Sequence, residues 1–167
     1  MKELIGIALA IALSMAGAVY FVPNISTKML NQSILSSNDF VNGLRNTALD
    51  FASLSPTQDY QNISMEQLKT KKLIPSNSVV VGTGSTSKLT PPYDAKQAIT
   101  IADPNSASTT DQGKQFIITI NASASKLDAD EKQTWEDKLK SNFERAGGLV
   151  TSYTTTNADA IISVTFE

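Results

Sequence analysis

Residues 4–22, LIGIALAIALSMAGAVYFV, make up 19 consecutive positions without a charge, and no other feature limits the fold of this chain so tightly. As a helix rising about 1.5 Å per residue, such a stretch crosses most of the hydrocarbon of a bilayer. Three fates fit it: a secretory signal that is cut off, a membrane anchor, or the buried core of a polymer. The small residues SMAGA at 14–18 supply an A-x-A-like cut site, although a signal's apolar region is typically about 7–15 residues long. Glu3 sits where a signal normally carries only positive charge, and a carboxylate at the mouth of an apolar helix calls for a partner.

The helical pattern continues past this stretch. Ile25, Met29, Leu30 and Ile34, then Val41, Leu44, Ala48 and Phe51, recur at three- and four-residue spacing, which is one apolar stripe of an amphipathic helix. Gly17 weakens a helix and Pro23 removes an amide and crowds the preceding turn, so a long helix is expected to loosen between them. A second interruption is open at SSND (36–39), where Ser37 can serve as an N-cap. Pro56 and the turn residues of SLSPTQ (53–58) end the helix.

The remainder reads as α+β. Ser64 and Gln67 have capping-box spacing, so MEQLKTKKL forms a short helix that stops before Pro75. SVVVG (78–82), AITIA (98–102), FIITIN (116–121), LVTSY (149–153) and AIISVTF (160–166) are short, β-branched and bounded by turn residues, as strands are. Asp128 opens a helix that carries Trp135, Leu139 and Phe143 on one face and closes at AGG (146–148). These three side chains are read as core. The stretches 82–92 and 103–113 are expected to be the most mobile loops.

Composition removes most chemistry. The 167 residues include no Cys and no His, which excludes a disulfide framework, a thiol nucleophile and the usual zinc ligands and general base. A formal charge of −2, with 14 Lys and Arg spread thinly, leaves no footprint for nucleic acid. The acidic cluster DADE (128–131) suits the positive end of a helix dipole better than a cation. GTGS (82–85) follows a strand but lacks the lysine of a phosphate-binding loop. No catalytic residue, cofactor or metal is expected.

An apolar first helix with an acidic residue at its start, continuing as an amphipathic helix into a small α+β head, resembles the type IV pilin family. MEQLKTKKLIPSNSVVV, LTPPYDAKQAITIA and KQFIITI resemble the head of type IVb pilins, with TPPYDA standing where that group has a turn into a strand. The resemblance covers the whole chain in layout and is most specific over the first 54 residues. It departs from the family in two ways: Glu3 stands two positions earlier than the family places its acidic residue, and the carboxyl-terminal disulfide of many members is impossible without Cys.

The resemblance implies a long helix, loosened between Gly17 and Pro23, packed on an antiparallel-sheet head with one or two further helices. It divides the chain into an apolar transmembrane or filament-core helix (1–23), an amphipathic helix packing on the head (24–54) and a globular head (55–167). The implied function is a non-enzymatic structural subunit, held in the bacterial inner membrane and then polymerised into an extracellular pilus for adhesion, aggregation or conjugative contact. Its implied partners are copies of itself, the pilus assembly machinery and the surface of a host or neighbouring cell, met through loops 82–92, 103–113 and 154–159. Met1, Glu3, Gly6, Ala10, Leu13, Gly17 and Pro23 are the implied assembly residues. Small residues let helices approach closely, and Glu3 would meet a neighbouring subunit's amino terminus, with Lys2 as rival partner. Glu3 also reads as a solvated residue at the membrane surface. The alternative from another class is a secreted or periplasmic binding protein whose residues 1 to about 17 are a signal peptide.

Overall fold

The computed structural model describes the backbone of residues 2–107, 110–125, 127–153 and 160–167, and the side chains of 27–107, 110–125, 127–150 and 160–167. The chain divides into two compact units, Met1–Gln32 and Ser33–Glu167. The first consists of helix, part of α1 (Lys2–Ser53). The loosening expected between Gly17 and Pro23 falls where side chains lie outside the described residues. Among the described residues no helix is long and apolar enough to cross a membrane.

The unit Ser33–Glu167 is α+β. Its six strands are β1 (Val79–Val81), β2 (Lys88–Thr90), β3 (Ala98–Ala102), β4 (Phe116–Asn121), β5 (Leu149–Tyr153) and β6 (Ile161–Phe166). They form one antiparallel sheet in the order β1-β2-β3-β4-β6-β5. Residues 33–53 of α1 and two further helices, α2 (Met65–Thr70) and α3 (Ala129–Arg145), complete the unit.

The alternation in FIITIN decides which face of the sheet is covered. Phe116, Ile118 and Ile120 are buried, while Ile117, Thr119 and Asn121 are half-exposed, the period of two that a one-sided sheet requires. The neighbours match: Ile101 faces Ile118, Val164 faces Ile118 on the other side, and Ile162 faces Ile120. Such cross-strand pairs of β-branched residues stabilise the sheet by about 0.2–1 kcal/mol each. At one end Phe116 stacks on Phe166 with ring centroids 5.4 Å apart, and Tyr60 tilts onto Phe116 at 4.7 Å.

Two helices close the covered face. From α1 come Ile34, Ser37, Val41, Leu44, Ala48 and Phe51, all buried at alternating spacings of three and four. From α3 come Trp135, Leu139 and Phe143, which have no exposed surface. Arg45 joins the two helices to the sheet. Its guanidinium stands 5.2 Å over the Phe166 ring and donates from Nη1 to the Ala146 carbonyl, 3.2 Å away at the end of α3.

Local chemistry sets the helix limits. The Asp128 carboxylate accepts from the Glu131 amide at 2.8 Å and the Glu131 carboxylate accepts from the Asp128 amide at 3.0 Å, a full capping box. Both α2 and α3 end in a Schellman motif, with Leu73 N donating to Leu68 O and Gly148 N to Phe143 O, each at 2.9 Å. In α3 the left-handed position is Gly147, at φ +82. In α2 it is Lys72, at φ +60, so the helix stops at Thr70 rather than running through KKL.

Two expectations are corrected. There is no interruption at SSND: α1 is continuous there, and Ser37 is buried against the head instead of capping a new helix. Loop 82–92 is not a plain loop, since it contains a 3₁₀ turn (Gly84–Thr86) and all of β2, whose Leu89 is buried and pairs with Ile99. Loop 103–113 is cinched at its neck by Asp103, whose carboxylate accepts from the Asn105 amide at one oxygen and the Gly113 amide at the other, both at 2.9 Å.

Two glycine exchanges should move stability in opposite directions. A Cβ on Gly148 would lie 2.6 Å from Val164 Cγ1 and 2.8 Å from Phe166 Cε1, so Gly148→Ala should lower the unfolding free energy by about 1–3 kcal/mol. Lys72→Gly removes a side chain from the left-handed region and should raise it by up to about 1 kcal/mol. Urea denaturation followed by far-UV circular dichroism measures both.

Candidate functional site

The implied assembly residues Met1, Glu3, Gly6, Ala10, Leu13, Gly17 and Pro23 have side chains outside the described residues. Trp135, Leu139 and Phe143 lie in the core described above, and the Trp135 indole N–H has no hydrogen-bond partner among the described residues.

A buried polar cluster seats α1 on the head. Gln97, at the start of β3, is 2% exposed, and Ser37 has no exposed surface. Gln97 Nε2 donates to Ser33 Oγ at 3.3 Å, and its Oε1 accepts from Tyr93 OH at 3.0 Å and from Ser37 Oγ at 3.4 Å. Tyr93 OH also lies 3.2 Å from Ser37 Oγ. The Tyr93 ring meets Phe40 edge-on at 5.8 Å. Burial, opposed by the Ser37 hydrogen bond, pushes the Tyr93 phenol up to about 12. Every member is thus neutral at ordinary pH, and the cluster offers hydrogen bonds and orientation rather than proton transfer. Ser33 and Ser37 lie on successive turns of one helix face, but their partner lies 60 residues away from Ser37, so no local signal points to it.

The side of α1 turned from the head carries uncovered apolar groups. Leu35 is 63% exposed and Leu49 is 47% exposed, 14 positions apart, which is about four turns on nearly one line. Leu54 beyond the helix end is also exposed. Leu35 and Leu49 stand about 21 Å apart along the helix, with the polar Asn38, Asn42 and Asn46 between them. The two edge strands are similar: Val79 and Val81 on β1 and Leu149 on β5 are exposed.

Of the three expected contact loops, 154–159 lies outside the described residues. The other two converge. Gly84 and Ser85 of the first, and Asp103 and Ser106 of the second, line one cleft of about 530 Å³ beside the end of α1. Glu66 fixes the first loop by accepting from the Gly84 amide at 2.7 Å. Behind the cleft wall, the hydrogen bonds from Thr57, from the Gln61 amide and from Ser55 outweigh desolvation and hold the Asp59 carboxyl below its ordinary range. Among the described residues no group of three or more acidic, His or Cys side chains is placed to hold a metal ion. The carboxylates of DADE that bracket the helix start, Asp128 and Glu131, are turned to backbone amides.

Comparison of the chain with protein-family models, curated proteins and solved structures finds no match.

The polar seat predicts a specific pH response. A phenol whose folded value is raised from 10.0 to about 12 contributes stability in full below pH 10, because both states then bind the proton. Above pH 10 the unfolded chain releases it first, and this stability is lost up to about pH 12. Urea midpoints of the wild-type chain should therefore fall more steeply between pH 10 and pH 12 than those of Tyr93→Phe, although Tyr93→Phe is the less stable of the two at pH 7.

Proposed function

We propose that this chain is a type IV pilin, close to the type IVb group, that polymerises through its first helix into a surface filament. The observation that carries the reading is one helix, Lys2–Ser53, whose two parts differ in the residues they carry. Its second half buries Ile34, Val41, Leu44, Ala48 and Phe51 in an α+β unit with an antiparallel sheet. Its first part is the uncharged stretch 4–22 that follows Glu3. A soluble head covalently continuous with an apolar helix is what a subunit needs if it waits in a bilayer and is later drawn into a filament.

The residues fit the physics of that transfer. Gly6, Ala8, Ala10, Ala12, Ala16 and Gly17 permit close helix approach, and the Leu and Ile between them supply apolar area to lipid and then to neighbouring helices. Within a bundle Glu3 would be strongly disfavoured unless paired, and a neighbour's amino terminus is the cation that arrives with each added subunit. Leu35 and Leu49 are uncovered apolar groups on the head's share of α1. On this reading the filament carries no cofactor and catalyses nothing; its work is mechanical and adhesive.

Glu3→Ala should abolish filaments seen by negative-stain electron microscopy while leaving the amount of chain in the membrane fraction unchanged. Normal filaments from Glu3→Ala would remove the role given to the carboxylate. Mass measurement of the protein's amino terminus tests the larger claim. A chain that retains residues 4–22 supports the pilin, whereas one beginning near Gly17 or Val19 overturns it in favour of a secreted binding protein.

A further inference from the structure

Among the described side chains of α1 the charged ones are Lys28, Asp39, Arg45 and Asp50. Arg45 is turned to the Ala146 carbonyl and the Phe166 ring, so its charge belongs to the head. Lys28, Asp39 and Asp50 are exposed, and no ion pair among the described residues includes them. Gln32, Asn42 and Asn46, which share the outer side of the helix with them, are uncharged.

The spacing of the three is regular. Asp39 follows Lys28 by 11 positions, and Asp50 follows Asp39 by 11. At about 3.6 residues per turn, 11 residues are just over three turns, so each step returns to nearly the same line of a helix about 16 Å further along. Charges on one helix pair at spacings of three or four, so these three do not neutralise one another within one copy.

In a filament with heads outside and first helices inside, the side of α1 turned from the head meets other copies of α1. The charge pattern then discriminates between the staggers of two parallel copies. In register, Lys28 meets Lys28 and each aspartate meets itself. A stagger of 11 residues brings Lys28 to Asp39 but also Asp39 to Asp50, one attraction against one repulsion. A stagger of 22 residues brings Lys28 to Asp50 and opposes no like pair. An exposed ion pair adds little stability, but juxtaposed charges fix register and reject wrong alignments. Between packed helices the same pair counts for more, because an interior screens charge less than water does.

We propose that Lys28 of one copy pairs with Asp50 of another at a stagger of 22 residues, about 33 Å of helix, and that this pair sets the axial register of the polymer. The inference rests on the filament reading and adds to it the contact that fixes how far copies slide along one another. A helical polymer gives each copy several neighbours, so this contact and the one at Glu3 join different pairs of copies.

Zero-length carbodiimide coupling of wild-type filaments, followed by proteolysis and mass spectrometry, reads the pair directly. A Lys28–Asp50 isopeptide is expected from filaments and not from single chains in detergent, where 22 residues of one helix hold the two side chains apart. Lys28→Asp and Asp50→Lys should each lower filament number at least about tenfold while circular dichroism and the amount of chain in the membrane fraction stay unchanged, since both positions are exposed. Combining the two reversals should restore filaments. Coupling of Lys28 to Asp39 instead of Asp50, no coupling of Lys28, single reversals that assemble normally, or a double reversal that does not recover each overturns the proposal, while filaments from the wild-type chain keep the filament reading in place. A wild-type chain that forms no filaments removes that reading and this inference with it.

Discussion

One face of a six-stranded antiparallel sheet must be shut from water, and most of the described structure follows from how that is done without a single cysteine. The apolar side chains of β3, β4 and β6, from Ile99 and Ile101 through Phe116, Ile118 and Ile120 to Ile162, Val164 and Phe166, form a continuous buried surface. It is covered by a stripe of α1 that could not otherwise be solvated and by the buried side of α3. Neither layer is complete alone. The sheet without α1 would expose its isoleucines, and α1 from Ser33 onward gains most of its stability from packing its apolar side on the sheet. Arg45 marks the junction, since one guanidinium bonds the Ala146 carbonyl at the end of α3, lies on the Phe166 ring and belongs to α1.

Where other small domains use disulfides to close their loops, this chain uses carboxylates on backbone amides. Asp103 closes loop 103–113, Glu66 holds the 3₁₀ turn at Gly84, Asp59 turns the chain after α1, and Glu136 accepts from the Ile161 amide to fix the start of β6. A hydrogen bond to a charged group contributes about 1.5–3 kcal/mol, more than an exposed ion pair such as Lys114–Asp111. The acidic residues are thereby spent on architecture.

Elements whose identity rests on local chemistry are legible in the residues alone. The β-branched runs form β1, β3, β4, β5 and β6, and the Asp128 start with glycine at the end forms α3, because propensity, cap and period agree there. The cut between loop and strand at β2 is not legible. Lys88–Thr90 is three residues between a serine turn and two prolines, and it is a strand only because Leu89 finds Ile99. Ser37 misleads for the same reason: as a local signal a serine before Asn-Asp is a cap, but its hydroxyl is claimed by Gln97 and Tyr93 from the far side of a tertiary contact. The cleft is legible only in part. Its two loops stand out in the sequence, but their meeting depends on the positions of β2 and β3, which pattern alone does not fix.

The filament reading and the head's architecture constrain each other. A subunit that packs against copies of itself along α1 must bury its own sheet with one side of that helix and leave the other side available, which requires an apolar stripe of limited width. From Ser33 onward the buried positions alternate by three and four and stay on one side, while Leu35 and Leu49 fall outside the stripe and remain uncovered. A helix serving only the head would gain solubility from polar residues there, as it does at Asn38, Asp39, Asn42 and Asn46 nearby. These two leucines, in a row otherwise polar, lie on the same helix as the uncharged stretch 4–22. Seating α1 through the neutral cluster of Ser33, Ser37, Tyr93 and Gln97 then has a mechanical sense. Hydrogen bonds of fixed direction hold the helix against rotation about its own axis, and that rotation decides whether Leu35 and Leu49 face outward.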